Sequence, residues 1–365
     1  MSDANLDHTD LNAVAVGGLV NEDVMQKIWD ISKIPLPFTN MVGTDEASNE
    51  YTEWTIDRLM DPDLSNALAD GADAPAVVTN PAIADGAPLS DGEPSRVGNH
   101  CQISGKTVEV STRSRNVDVI GRSDELSYQV MMRQRELRRD VEAIALTHQA
   151  SLASDANVPT AGLAGGLGSW LATNGIGAIA AGFTAPGYNA TTGLTVAPIV
   201  TTTGPLAESL VRDVCEGVYN EGGDPSIFMS IPTVVRKFSE YLFTSSARIA
   251  TLTSNTGQGE GGLTAQGSVN VFVTDFGVVL ELTPNRIMQP DVATGGSEEA
   301  TGYVLDPAYL SMAYLHGYRT EPLAKTGLSD KRLMAVDWTL KVLNQRAHGA
   351  VFGIDYTADV LATPA

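Results

Sequence analysis

The stretch GRSDELSYQVMMRQRELRRDVEAIALTHQASLAS, residues 121–154, decides how this chain reads. Ser123 is placed to cap a helix, Asp124 and Glu125 suit its positive end, and Leu126, Val130, Leu137, Val141 and Ile144 recur at helical spacing. One apolar stripe therefore runs along a predicted helix over 123–154. At 1.5 Å per residue, about thirty residues make a rod of roughly 45 Å, long for a helix packed inside one compact domain. Upstream, Asp61 to Asn99 is rich in Asp, Pro, Gly and Ala and holds no aromatic residue. Such a segment cannot bury enough apolar surface to offset its own ordering entropy, so a neighbouring chain is its expected support. A rod beside an extended arm points to assembly, not to catalysis.

Working outward, Met1 to Ser32 carries a short amphipathic pattern at Val20, Val24, Ile28 and Ile31 that Pro35 and Pro37 stop, an arm expected to pack on something else. Tyr51 to Leu59 and His100 to Ser111 read as strands, with Trp54 and Ile56, then Ile103, Val108 and Val110, at period-two positions. Ala156 to Ala207 has no charged side chain, which suits a piece lying against protein better than a solvated linker. An α+β unit follows: a helix with Leu206, Leu210, Val214 and Val218, a strand at Ile227 to Ile231, and a helix entered through Pro232. Val269 to Thr274 and Val278 to Thr283 flank a short turn at Asp275-Phe276-Gly277 and read as a hairpin. In Arg332 to Asn344, Met334, Val336, Trp338, Leu340 and Val342 alternate with Ala335, Asp337, Thr339 and Lys341, the pattern of a half-buried strand.

Composition narrows the function. The 365 residues, 43% hydrophobic, suffice for a sizeable core and more than one subdomain. Forty-four acidic against 23 basic residues give a net charge of -21, which argues against a dedicated nucleic-acid surface and fits concentrated salt, where self-repulsion is screened. Cys101 and Cys215 lie too far apart for a metal or redox motif. The acidic start lacks the pattern of a signal peptide and no run is apolar enough for a bilayer span, so synthesis in a cytoplasm without export is expected.

Candidate chemistry is thin. Gly257, Gly259 and Gly262 fit G-x-G-x-x-G, but a strand follows where a phosphate-cradling loop needs a helix, so a surface loop is the expectation. Asp275-Phe276-Gly277 lacks the rest of a kinase signature and reads as a turn. His100 and Cys101 point to opposite sides of a strand, unsuited to one ion. His148 and His348 read as structural imidazoles, and the Asn189-Ala190-Thr191 sequon as a polar turn. Arg133, Arg135, Arg138 and Arg139 would make a phosphate patch or a set of ion pairs; the interleaved Glu136, Asp140 and Glu142 favour ion pairs. No catalytic, cofactor or metal residue is assigned.

The order of several short motifs resembles the major capsid proteins of tailed bacteriophages and related archaeal viruses, with the Hong Kong 97 type fold. They are Arg96-Val97-Gly98-Asn99 with Gln102-Ile103, Glu125 to Gln129, Glu136 to Glu142, Gly168-Ser169-Trp170, and Gly222-Gly223-Asp224-Pro225. Thr274 to Gly277, Val304-Leu305-Asp306-Pro307, Leu323 to Gly327, and Asn344 with Ala347-His348-Gly349 complete the series. The resemblance implies an α+β fold with an N-terminal arm and linker (1–50), an extended loop (51–111), and a peripheral domain with the spine helix 123–154 and a glycine-rich connection (112–205). An axial domain (206–290) and a return to the peripheral domain (291–365) follow. It implies a shell subunit that meets copies of itself in pentamers and hexamers, with portal and scaffold or decoration proteins as partners, enclosing double-stranded DNA in a virion without a membrane. Contacts between subunits are expected at Trp54, Asp61, Asn99, Arg133, Arg135, Arg138, Arg139, Glu142 and Trp170. The absence of lysine from 61–99 closes the covalent cross-linking route some relatives use. A halophilic or marine setting would suit the charge. The alternatives are a cellular compartment shell of the encapsulin type and, more distantly, a nucleotide-binding enzyme using the Gly257 loop.

Overall fold

A computed structural model of the chain describes residues 35–57, 67–71, 73, 96–117, 123–155, 160–244, 271–274, 276–292 and 298–358. The expectations for the arm at Met1 to Ile34, for Asp61 and most of its segment, and for the Gly257 loop lie outside these residues.

The chain opens with a short helix α1 (Pro37–Met41), a strand β1 (Gly43–Glu46) and a two-stranded ladder of β2 (Tyr51–Thr55) with β3 (Arg96–His100). Pro37 begins this helix, since at the first helical position its missing N–H is no loss. β4 (Gln102–Ser111) and a short helix α2 (Thr112–Asn116) lead to the spine helix α3. This helix spans Glu125–Ala145, 21 residues or about 31 Å, shorter at both ends than 123–154. The cap is Asp124, whose carboxylate accepts the Leu126 N–H, and not Ser123. At the far end Thr147 Oγ donates to the Ile144 carbonyl, while the carbonyls of Thr147 and Gln149 accept from Gly168 and Gly166. Polar residues past Leu146 thus find partners in another segment, and the helical ladder stops.

The spine lies on a four-stranded sheet ordered β1, β15 (Leu310–Pro322), β16 (Ser329–Val342), β4, with β1 parallel to β15 and the other pairs antiparallel. Leu137 and Val141, buried on the helix, join the core with Val108, Val110, Val336 and Trp338, each such side chain contributing about 1.5–3 kcal/mol. Ile103 is 72% exposed, because Gln102, Ser104 and Lys106 have the parity that faces the helix. Trp338 donates to Ser104 and Lys106 reaches Glu136 and Asp140, so polar partners occupy positions where alternation alone would place apolar ones. β16 is also not half-buried over its second half: Thr339 and Lys341 are buried too. Ala313, in register with Thr339, joins Ala47 and Cys101 in a small apolar cluster against this other face.

After the spine, the uncharged stretch forms short pieces: β5 (Gly175–Gly177), β6 (Phe183–Thr184) paired with β9 (Ile199–Val200), and β7 (Gly187–Asn189) paired with β8 (Leu194–Val196). Next come α4 (Glu208–Asn220), β10 (Ile227–Ser230), α5 (Pro232–Thr244), β11 (Val271–Val273) and β12 (Val279–Pro284). α4 buries Val211, Val214, Cys215 and Val218 and ends at Gly222, whose φ of 91° sits in the left-handed region that a side chain would strain. The predicted hairpin forms between β11 and β12. With β13 (Asp291–Val292), β14 (Glu298–Leu305) and β17 (Gly349–Ile354), the second sheet runs β11-β12-β10-β14-β17-β5, β13 pairing β14 off this path. Its membership does not follow the divisions at 205 and 290, since β5, β14 and β17 share the sheet of β10 and β12. The chain leaves this sheet after β14, builds β15 and β16, and returns at β17.

Candidate functional site

The root of the extended segment is held inside its own subunit. β3 places Asn99, expected at the end of a loop, in a strand where it is fully buried. Its amide nitrogen donates to the carbonyls of Gly165 (3.1 Å) and Leu340 (2.9 Å), and its oxygen accepts the Gly165 N–H (2.8 Å). One side chain thus joins the ladder, the uncharged stretch and the four-stranded sheet. Beside it, Trp54 lies 5.4 Å from Trp170 and donates its indole N–H to the Val342 carbonyl, and Trp170 stacks on Tyr188 at 5.7 Å. The hydroxyls of Tyr51 and Tyr188 meet at 2.8 Å, and burial pushes the Tyr51 phenol well above its ordinary range. Trp170 is 3% exposed, so it is a core residue of its own chain; Trp54 is half-buried. Gly168, just before it, sits so close to His148 that an added Cβ would come within 2.2 Å of the ring.

The outer face of the spine carries the arginines. Arg133 pairs with Glu136 three residues on at 2.5 Å, and Lys106 from β4 reaches Glu136 (3.4 Å) and Asp140 (2.7 Å). The Arg138 guanidinium lies 5.2 Å from the centre of the Tyr318 ring on β15. Arg135, Arg138 and Arg139 are exposed. Arg133 thus makes an ion pair within the helix while Arg138 lies over an aromatic ring, and exposed pairs of this kind contribute at most about 1 kcal/mol each.

Glu142 points the other way and is fully buried. Its carboxylate accepts the Asn285 side-chain amide at 2.8 Å and the backbone N–H groups of Phe38 (3.3 Å) and Thr39 (3.2 Å). Burial raises its pKa, against the pull of those donors. Glu142, Asn99 and Trp170 thus present no side-chain surface to a neighbour, and the candidate contact residues that remain outward are the arginines and part of Trp54. Asn285, Tyr188 and Tyr318 escaped the sequence reading; only a tertiary partner marks them, and nothing local does.

The polar residues elsewhere are structural in geometry. His348 is fully buried, its Nδ1 accepting the Asp306 N–H and its Nε2 facing the Tyr309 carbonyl; burial lowers its pKa to about 4. His148 Nε2 lies 2.8 Å from the Thr301 hydroxyl. Burial pushes the Cys101 and Cys215 thiols up to about 11 and about 12. The Asn189 side chain accepts the Thr191 and Thr192 N–H groups in the turn between β7 and β8. Among the described residues no group of three or more His, Cys, Asp and Glu is placed to hold a metal, and no helix is long and apolar enough to cross a membrane.

The sequence matches the SU10 major capsid protein family over residues 5–355. A major capsid protein of Escherichia phage Phieco32 is 30% identical over 114 residues, which are 31% of this chain and 29% of that protein. The chain thus spans less than a third of that curated relative's length. A solved structure from Mycobacterium phage Bobi superposes with a TM-score of 0.54 at 11% identity, covering 96% of this chain and 99% of the other. An encapsulin complex from Synechococcus elongatus PCC 7942 gives 0.50 at 12% identity, with 93% and 94% covered. At these identities the likeness shows the fold alone, which is the α+β capsid fold of the Hong Kong 97 type.

Proposed function

Since the chain belongs to the SU10 major capsid protein family, we propose that it is the head-shell subunit of a tailed phage or related virus. Copies assemble as pentamers and hexamers into a closed icosahedral shell around packaged double-stranded DNA. The observation that carries this reading is the family match over 5–355, and the fold agrees with it: a long helix laid across one sheet and continuous with a second, with an arginine-bearing face turned outward. The chain is structural and not an enzyme, is made in the host cytoplasm and ends in the virion. It meets a portal and scaffold or decoration proteins there. The outward contact residues are Arg133, Arg135, Arg138, Arg139 and Trp54, with Asp61 on the extended loop 51–111; the peripheral part is built on the spine and the four-stranded sheet, and the axial part lies within 206–290, whose strands share their sheet with β5, β14 and β17. With a net charge of -21 per subunit, the shell confines DNA without gripping it.

The test is electron microscopy of the expressed full chain together with nuclease-protected nucleic acid from native particles. Closed shells protecting DNA support the reading; a chain that stays monomeric at all salt concentrations overturns it. The likeness to an encapsulin keeps a second reading, a cellular protein compartment. Shells that enclose protein and no DNA would favour it.

A further inference from the structure

Glu142 is a fully buried carboxylate on a helix whose other charged side chains keep partial or full exposure. Three donors from two other parts of the chain converge on it: the Phe38 and Thr39 N–H groups of α1, and the Asn285 amide just beyond β12. α1 needs such an acceptor. Its N-cap residue Leu36 offers no side-chain cap, so the first-turn N–H groups would be buried without partners. Phe38, fully buried, plugs the same spot into the core, and Pro37 fixes the backbone angle at the entrance. Asn285 is itself locked, its oxygen accepting the Ile287 and Met288 N–H groups and its amide donating to Glu142 (2.8 Å) and to the Met229 sulfur (3.8 Å). Tyr318, itself beside Arg138, is an ionisable neighbour of the carboxylate.

We infer that Glu142 is a positioning residue which holds α1 in place and ties it to the seating of the Asn285 turn, and with it the second sheet, against the spine. The inference rests on the shell-subunit reading for its biological use: subunits in differing positions of a shell would shift α1 and the second sheet together. One acceptor serves both the entrance helix and the Asn285 turn. A shift of the second sheet relative to the spine therefore alters the bonds that hold α1, and the two rearrange together.

The experiment is amide hydrogen exchange on the full chain, following Phe38 and Thr39 against the middle of the spine helix at Leu137 to Val141, in wild type, Glu142→Gln and Asn285→Ala. Loss of a hydrogen bond to a charged group predicts exchange at Phe38 and Thr39 faster by roughly 10- to 100-fold in Glu142→Gln. Asn285→Ala leaves α1 untouched and should still speed those two amides by roughly 3- to 10-fold, an effect that no merely local support of the Asn285 turn would produce. The spine peptide should stay within about twofold of wild type in Asn285→Ala. Unchanged exchange at Phe38 and Thr39 in Asn285→Ala, or a rise shared equally by the spine, overturns the inference; should Glu142→Gln fail to fold, Asn285→Ala decides alone. Failure of the wild-type chain to form shells would count against the proposed function and leave the exchange result standing.

Discussion

Three hydrogen bonds meet at the Asn99 amide, all inside the core. Asn99→Ala removes a partner from two carbonyls and one N–H, and the net contribution of a typical intramolecular hydrogen bond is about 0.5–1.5 kcal/mol. We expect a loss of roughly 2–4 kcal/mol in urea unfolding of the subunit, seen as a lower midpoint with the slope unchanged; a shift under about 0.5 kcal/mol would refute the joint role of this residue. His348 gives a pH dependence with a fixed sign. Its folded pKa of about 4 lies below its ordinary 6.5, so between these values the unfolded chain binds a proton that the folded chain refuses. Stability from this group is complete above pH 6.5 and lost as pH falls toward 4, by up to about 3 kcal/mol. Unfolding measured at pH 7.5 and 4.5 should show His348→Gln losing less on acidification than wild type by a sizeable part of that amount. Equal losses in the two proteins would contradict it.

At the scale of elements, the spine helix separates what its sequence tells from what only its surroundings decide. Its apolar stripe is legible, and Leu137→Ala should cost about 2–5 kcal/mol because the site is closed on every side, whereas Met131→Ala, at an exposed position, should cost under about 0.5 kcal/mol. The cap is a finer matter. Two adjacent residues, Ser123 and Asp124, both suit an N-cap, and the backbone alone chooses; Asp124→Ala should lower stability by about 0.5–2 kcal/mol and Ser123→Ala by much less, measured in thermal melts of the subunit. The reverse order would move the cap back to Ser123. β16 was readable because its apolar residues alternate without interruption, and the β11–β12 hairpin because a glycine turn separates two apolar runs. β3 was not, since Arg96 to Asn99 sits at the edge of a stretch without core-forming residues and gains its strand character only from Tyr51 to Thr55. Ile103 was misplaced for a related reason: the helix-facing positions of β4 are filled by Gln102, Ser104 and Lys106, whose partners are more than twenty residues away in sequence. Inward-facing Glu142 is the same case. A carboxylate between Arg139 and the helix end reads as a surface charge until the donors that surround it are known.

For the whole molecule, charge is the dominant long-range quantity. Gathering many copies at -21 each costs electrostatic free energy that shrinks with the Debye length, from about 10 Å at 0.1 M salt to about 3 Å at 1 M. Thermal disassembly of particles should therefore shift to higher temperature as NaCl rises over that range. A flat or falling midpoint would show that repulsion between subunits does not limit the shell. A different consequence comes from β4 lying against β16. Gln102 pairs with Trp338, 236 positions later (338 - 102), and β1 likewise waits for β15. On a ribosome adding about 5–20 residues per second, β4 emerges tens of seconds before its partner exists. Such distant pairing makes closure of the sheet slow and late. The spine helix therefore has no finished floor to rest on until the last strands are synthesised, so a chain broken off early cannot seat it. The order of synthesis is thereby expected to act as an inspector, keeping prematurely terminated products out of particles. Co-expression of the full chain with one ended after Leu305 should yield particles free of the shorter product, and its appearance in purified shells would disprove this.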